Sequence, residues 1–185
     1  MKNKCVVLLG PEQLELRDVE LKPLKPDEIR VKNEYSCISA GTERANIVDM
    51  PNTVHKFNRA FGYNSVGIII DKGADVKDFE VGERVLCFFA GGHRLYTTGK
   101  AKNFCKVPDG VDPKDAALVI IGGFGIEGAR MTRCEIGESG MVVGCGLLGL
   151  FALQSLRNMG AIPTIAIDFN EDRLRIAREL GADYT

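Results

Sequence analysis

The 185-residue chain lacks several things, and each absence removes a class of function. It has no surplus of either charge: 24 Lys plus Arg stand against 25 Asp plus Glu, a formal charge of −1. Nucleic-acid binding needs a clustered excess of Lys and Arg, so the balance argues against that partner. No apolar run approaches the roughly 18 residues that a membrane-spanning helix requires. The opening Met-Lys-Asn-Lys-Cys-Val-Val-Leu-Leu-Gly holds too short an apolar stretch for a secretory signal. The expectation is a cytoplasmic protein with no membrane partner, beginning with a strand. Six cysteines, Cys5, Cys37, Cys87, Cys105, Cys134 and Cys145, contain no C-x-x-C pair, which argues against a structural zinc knuckle. Scattered and without a secretory context, they read as small buried apolar residues. Internal repeats and low-complexity tracts are also absent. What is present, 45% hydrophobic and 26% charged residues, is the composition of a globular protein.

Up to about Asp109 the chain is a series of short β-rich runs. Strands are predicted at Lys4 to Leu9, Leu14 to Val19, Glu28 to Cys37, Ser65 to Ile70 and Arg84 to Phe89. Turn residues separate them: Gly10-Pro11, Lys25-Pro26-Asp27, Lys72-Gly73-Ala74-Asp75 and Gly91-Gly92. A small twisted β-barrel or sandwich accounts for this pattern. A helix then begins near Pro113 and runs toward Arg133, with a middle weakened by Gly122, Gly123 and Gly125. Next come a strand at Met141-Val142-Val143, a glycine-rich turn, an apolar helix to about Met159 and a buried strand from Thr164 to Asp168. A last helix follows, with Asn170 as N-cap, Glu171 and Asp172 in its first turn and Gly181 just past its end. The chain stops at Thr185, where a third strand is expected to start.

The turn reads Gly144-Cys145-Gly146-Leu147-Leu148-Gly149, and Asp168 closes the next strand 24 positions after Gly144. A lone G-x-G-x-x-G is weak evidence; between an apolar strand and a helix, with an acidic residue at that distance, it points to a dinucleotide site. Gly144 allows the tight turn, Gly146 lets the backbone approach a pyrophosphate, and Gly149 lets the helix pack on the strand. The phosphates would sit on the N–H groups opening the helix at Leu147 and Leu148. Asp168 would accept hydrogen bonds from the ribose hydroxyls and repel a 2′-phosphate, favouring NAD over NADP. Cys145, near a helix N-terminus, is read as a small filler rather than a redox thiol.

With these residues in place, the sequence resembles the medium-chain dehydrogenase/reductases, which include the zinc alcohol, polyol and threonine dehydrogenases. The resemblance runs over essentially the whole chain. It is carried by Gly62 to Gly67 with Ile68, Ile69, Ile70 and Lys72-Gly73, by Val76 to Val85, by Lys106 to Val111, by Ala116-Ala117-Leu118 and by Val143 to Leu150. It implies a mixed α/β chain: a GroES-like β-rich barrel domain over residues 1–120, then the first βαβα portion of a Rossmann dinucleotide-binding domain over 121–185. It also implies a small-molecule substrate, hydride exchange with NAD or, less favoured, NADP at an alcohol or carbonyl carbon, and a homodimer in the full-length form. On this expectation the later nucleotide strands and a returning catalytic segment are missing, so the chain alone should bind cofactor weakly and be inactive. The alternatives are a dinucleotide-binding module without turnover and an inactive fragment of a longer dehydrogenase.

Departures from the family pattern set the expected chemistry. Where zinc-dependent members supply a Cys ligand, this chain reads Ala40-Gly41-Thr42-Glu43, and where they read Gly-His-Glu it reads Gly62-Tyr63-Asn64. Zinc prefers thiolate, imidazole and carboxylate ligands, so no metal site is expected. By resemblance, the catalytic candidates are Thr42, at the family's proton-passing hydroxyl, and Tyr63, a phenol able to donate to a carbonyl oxygen. Each also fits a structural role, Thr42 as a turn hydroxyl and Tyr63 as a packing residue. Glu43 is a third candidate, or a cap on a helix from Arg44 to Val48. Arg173 is either a basic neighbour of the adenosine ribose or part of a solvated helix face. His93 is read as structural and His55 as a loop residue.

Overall fold

A computed structural model of the chain describes residues 2–88 and 92–185. Phe89, the last residue of one predicted strand, and Gly91 of the Gly91-Gly92 turn lie outside the described residues. The chain divides into two compact units, Met1–Leu118 and Val119–Thr185.

The first unit is built on two antiparallel sheets. Strands β1 (Lys2–Gly10), β2 (Gln13–Glu20) and β4 (Arg59–Ala60) form a three-stranded sheet in the order β2-β1-β4. Strands β3 (Glu28–Ser36), β5 (Asn64–Lys72), β6 (Arg84–Phe88), β7 (Tyr96–Lys100) and β8 (Phe104–Lys106) form a five-stranded one in the order β7-β3-β5-β6-β8. Alternation along β3 turns Ile29 and Val31 inward, where they meet Ile69, Val76, Phe79, Val85, Cys87 and Phe104 in one core. The buried Asn3 joins the two sheets: its amide donates to the Tyr96 carbonyl at 2.7 Å and accepts the Tyr96 N–H at 2.9 Å. That side chain replaces a missing ladder rung and satisfies its own buried polar atoms at once.

Three expectations for this unit need correction. Strand β3 ends at Ser36 rather than Cys37. The helix expected from Arg44 to Val48 is α1, Ala40–Ile47, because the carbonyl of Ser39 already accepts the Glu43 N–H at 2.8 Å and starts the ladder earlier. Strands β4, β7 and β8 were not legible: β7 reads Tyr-Thr-Thr-Gly-Lys, without an apolar run, and β4 and β8 are only 2 and 3 residues long. Runs that short carry too few side chains for a period-2 pattern to stand out.

Helix α2, Pro113–Met131, is continuous through its glycines. A Cβ on Gly125 would lie 2.7 Å from Phe151 Cβ and 2.8 Å from the Leu148 carbonyl oxygen, and one on Gly122 would lie 3.0 Å from the Phe151 ring. Helix-to-helix approach therefore outweighs the helix penalty of about 1 kcal/mol per glycine. In the second unit, β9 (Gly140–Val143) and β10 (Thr164–Ile167) pair in parallel, and α3 (Leu147–Asn158) and α4 (Glu171–Glu179) follow them in turn. Ala129, Val142, Cys145, Leu153, Leu156, Ala161, Ala166, Leu174 and Ala177 make the core. Asn170 caps α4 through its side-chain oxygen, which accepts the Arg173 N–H at 3.1 Å. Beyond α4, Tyr184 makes an isolated parallel bridge to Ile165 of β10.

Candidate functional site

In the second unit the glycine turn connects β9 directly to α3, and its three glycines stand in three different situations. Gly144 has a φ of +95°, a left-handed conformation that favours glycine. Gly149 sits against the Gly144 carbonyl, which any Cβ would overlap. Gly146 has ordinary extended dihedrals, φ −76° and ψ −172°, and a Cβ built on it would meet nothing within 4 Å. The fold therefore requires Gly144 and Gly149, while at Gly146 it leaves open space. Helix α3 starts at Leu147 with no side-chain cap at its N-terminus, so Leu147 and Leu148 lie in a first turn whose N–H groups point outward.

Asp168 follows β10, and its carboxylate is only 8% exposed. One oxygen accepts the Asn170 N–H at 2.9 Å and the other the Cys145 N–H at 2.7 Å. These two bonds, with lesser help from the Arg173 charge, hold the carboxyl below its usual range. The group is thus an ionised acceptor fixed beside the turn, with lone pairs to spare for two hydroxyls. The Arg173 guanidinium is mostly exposed and lies 3.6 Å from the carboxylate. Cys145 is buried; burial first, then the Asp168 carboxylate, pushes its thiol up. That is the opposite of an activated thiol.

The first unit brings together residues the sequence left apart. Glu43, 6% exposed, lies on α1, and one of its carboxylate oxygens accepts the Ser39 N–H at 3.0 Å. The other is 2.8 Å from His93 Nε2, and the opposite ring nitrogen, Nδ1, is 2.8 Å from Ser36 Oγ. His93 is held through its backbone as well, donating to the Phe61 carbonyl and accepting from Val6 N–H. His93 and Ser36 had no local signature, since they are 57 residues apart and Glu43 is 50 from His93. Of the two readings of Glu43 the contact at the helix start is the one observed, and the same side chain also binds the imidazole.

The other candidates are placed less decisively. Thr42 is exposed on α1, and its carbonyl accepts from the Asn46 amide at 2.8 Å. Tyr63 is half-buried in the segment leading into β5. Asn64, where zinc-dependent members carry a carboxylate, is fully buried, and neither atom of its amide finds a hydrogen-bond partner. Among the described residues, no three His, Cys, Asp or Glu side chains gather in a way that could hold a metal ion.

A strand, glycine turn, helix, strand and helix, with a fixed carboxylate after the second strand, defines the opening of a dinucleotide-binding α/β fold, here following an antiparallel β-rich unit. The relatives agree. The chain is 25% identical over 98% of its length to a zinc-type alcohol dehydrogenase-like protein, YdjJ, of Escherichia coli, of which it covers 62%. It is 28% identical over 92% of its length to an alcohol dehydrogenase of Geobacillus stearothermophilus, of which it covers 58%. Among solved structures it resembles, over its full length and 61% of the other chain, a zinc-binding dehydrogenase of Sinorhizobium meliloti bound to NADP, with a TM-score of 0.87 at 22% identity. No family model matches the chain. Over essentially all of its length the chain is therefore similar to zinc-type alcohol dehydrogenase-like proteins, and its fold is that of solved dehydrogenases. It spans about three fifths of the length of those curated relatives.

Proposed function

We propose that the chain is part of an NAD(P)-dependent oxidoreductase of the alcohol dehydrogenase type, acting on an alcohol/carbonyl pair without zinc. The observation that carries the reading is Gly146: it has no conformational or packing need to be glycine, yet it lies between two glycines that do. A nicotinamide dinucleotide fits this place, because the open approach at Gly146, the uncapped start of α3 and the Asp168 carboxylate match its pyrophosphate and ribose. The bound cofactor would supply the hydride. Gly144 and Gly146 would admit the phosphates, the Leu147 and Leu148 N–H groups would bind them, and Gly149 would keep the helix close. Asp168 would hold the ribose hydroxyls and favour NAD over NADP, while Arg173 stays within reach of the carboxylate it already neighbours.

A zinc ion does not fit the corresponding donor set in the first unit. Ala40 offers no donor atom, Tyr63 a neutral phenol and Asn64 an uncharged amide. The relatives named zinc-type set the contrast. The proton route must then come from hydroxyl, phenol, imidazole and carboxylate groups, for which Thr42, Tyr63 and Glu43 are the sequence candidates. The same loss of donors favours a second reading, a dinucleotide-binding module that no longer turns over.

The test starts with the intact mass of the protein recovered from its source cells, because the 185 residues alone are expected to bind cofactor weakly. The recovered protein is titrated with NADH and NADPH by nicotinamide fluorescence, then assayed on a panel of alcohols, ketones and aldehydes. Tighter NADH than NADPH binding with turnover supports the oxidoreductase. Binding without turnover across chemically diverse panels selects the binding module. Failure to bind either nucleotide sinks both readings.

A further inference from the structure

We propose that Ser36, His93 and Glu43 form a proton-transfer site in the first unit, in which His93 takes up and returns the proton and Ser36 is the hydroxyl presented to substrate oxygen. This rests on the oxidoreductase reading and names the acid/base machinery that stands in for the absent zinc donors. Three side chains from separate segments are joined in one hydrogen-bonded line. Ser36 is exposed at the end of β3, His93 precedes β7 with its side chain 14% exposed, and Glu43 is buried on α1. The line thus runs from solvent inward to a covered carboxylate.

The direction of each bond follows from proton inventory. An ionised carboxylate only accepts, and Glu43 Oε1 is already occupied by the Ser39 N–H. The bond between Glu43 Oε2 and the ring therefore requires a proton on His93 Nε2. In the neutral ring, Nδ1 then holds a lone pair, and Ser36 Oγ–H donates to it across 2.8 Å. In the imidazolium, Nδ1–H donates to Ser36 Oγ, and the serine hydrogen is free to point outward. One proton on His93 thus reverses the bond to Ser36 and converts the serine from acceptor to donor toward an outside oxygen. Glu43 fixes the tautomer and the orientation of the ring, the role a buried carboxylate plays beside a catalytic histidine.

The surroundings are built for the imidazole. Gly62, at φ +78°, leaves the space it needs: a Cβ there would lie 2.8 Å from His93 Cδ2 and 2.9 Å from Nε2. The Phe61 ring stands 6.3 Å from the imidazole, centroid to centroid. Of the nearby titratable groups, the Cys37 thiol is pushed up by burial and then by the Glu43 carboxylate, so it stays neutral. The Arg94 charge is felt by Cys5 and Cys87.

For carbonyl reduction the step balances as follows. A bound reduced nicotinamide would supply the hydride to the substrate carbon and would itself be oxidised. The substrate oxygen gains the Ser36 hydroxyl proton as that O–H bond breaks. Ser36 regains a proton from His93 Nδ1, leaving a neutral ring that solvent reprotonates. Alcohol oxidation runs the same transfers backwards.

The test uses the protein recovered at its native mass, with whichever alcohol/carbonyl pair it turns over. Ser36→Ala is expected to lower kcat about 100-fold with KM little changed, the usual size of a lost acid/base group. Ser36→Thr, which keeps a hydroxyl, is expected to restore most of the loss, and His93→Asn to flatten the pH dependence of kcat. Because His93→Asn risks folding, a second measurement needs no variant: nitrogen-15 NMR of labelled histidine in the unaltered chain should find the neutral ring protonated at Nε2. A ring protonated at Nδ1, or a Ser36→Ala protein with the kcat and pH profile of the parent, overturns the inference alone. A parent protein that neither binds nucleotide nor turns over overturns the oxidoreductase reading and the inference with it.

Discussion

The Asp168 carboxylate accepts the backbone N–H of Cys145 at 2.7 Å, which fastens the end of the second parallel strand to the middle of the glycine turn. The residue expected to hold a ribose is therefore also a structural clamp, and its removal should be visible without any cofactor. Its carboxyl is held below the usual value, chiefly by the N–H of Asn170 and then by that of Cys145. A depressed carboxyl stabilises the fold above the ordinary Asp value of about 4 and loses that contribution as pH falls through the depressed one. Asp168→Asn should start with a lower melting temperature at neutral pH and lose less of it on acidification below about pH 4. Parallel acid-side melting scans of the two proteins check this; identical slopes would remove the clamp.

Gly146 and Gly149 should separate function from fold. Gly146→Ala meets open space in an ordinary conformation, so melting should be unchanged or raised by about 0.4–1 kcal/mol equivalent. Nucleotide affinity should nevertheless fall at least about tenfold, or about 1.4 kcal/mol. Gly149→Ala forces a Cβ onto the Gly144 carbonyl and should cost about 1–3 kcal/mol of stability. Melting curves and NADH titrations on the pair test both halves; a Gly146→Ala protein as unstable as Gly149→Ala would contradict the assignment.

Helix α2 offers an internal control. Gly123 has nothing within 4 Å of a built Cβ, whereas Gly125 presses on Phe151 and Leu148. Gly123→Ala should therefore stabilise by about 0.5–1 kcal/mol, the ordinary helix gain. Gly125→Ala should destabilise by a similar amount or more, and urea midpoints of the two variants should move in opposite directions.

His55 and Asp49 form an exposed pair, Nδ1 to Oδ1 at 2.7 Å, in the loop where His55 was expected. The side-chain bond to Asp49, then the Pro51 carbonyl, raises the imidazole. A raised imidazole stabilises below the ordinary His value of about 6.5 and loses that contribution as pH climbs through the raised one. His55→Gln should flatten the melting temperature between about pH 6 and 9, by a small margin because the pair is solvated. If the parent shows no slope in that window, the pair is not formed in solution.

Arg94 poses the reverse case. Its Nε is buried without a hydrogen-bond partner, and burial lowers the guanidinium from its usual range. A buried donor left without a partner costs stability, so Arg94→Met should raise it, by about 1 kcal/mol. A guanidinium chloride midpoint that falls instead would show that the guanidinium is well solvated or paired.

Features that depend on neighbours in sequence were legible from the residues. The turn from Gly144 to Gly149, the Asn170 cap and Asp168 all lie within a strand or a helix of one another, and each announced itself by residue type and spacing. The long strands did the same through alternation, and β1, β2, β5 and β6 came out within a few residues of their observed bounds among the described residues. The glycines of α2 were legible but misleading, since intrinsic propensity says nothing of a phenyl ring packed against them.

What the sequence determined by itself was the order of the longer strands and helices and the dinucleotide fingerprint, because hydrophobic period and turn chemistry act over a few residues. The tertiary structure alone decided which polar groups meet. Ser36, Glu43 and His93 come from three segments brought together by sheet pairing, with Val6 and Phe61 gripping the backbone of His93 from either side. Hydrogen bonds of that kind reach about 3 Å in space whatever the separation along the chain, so residue spacing carries no trace of them until the strands have found their partners.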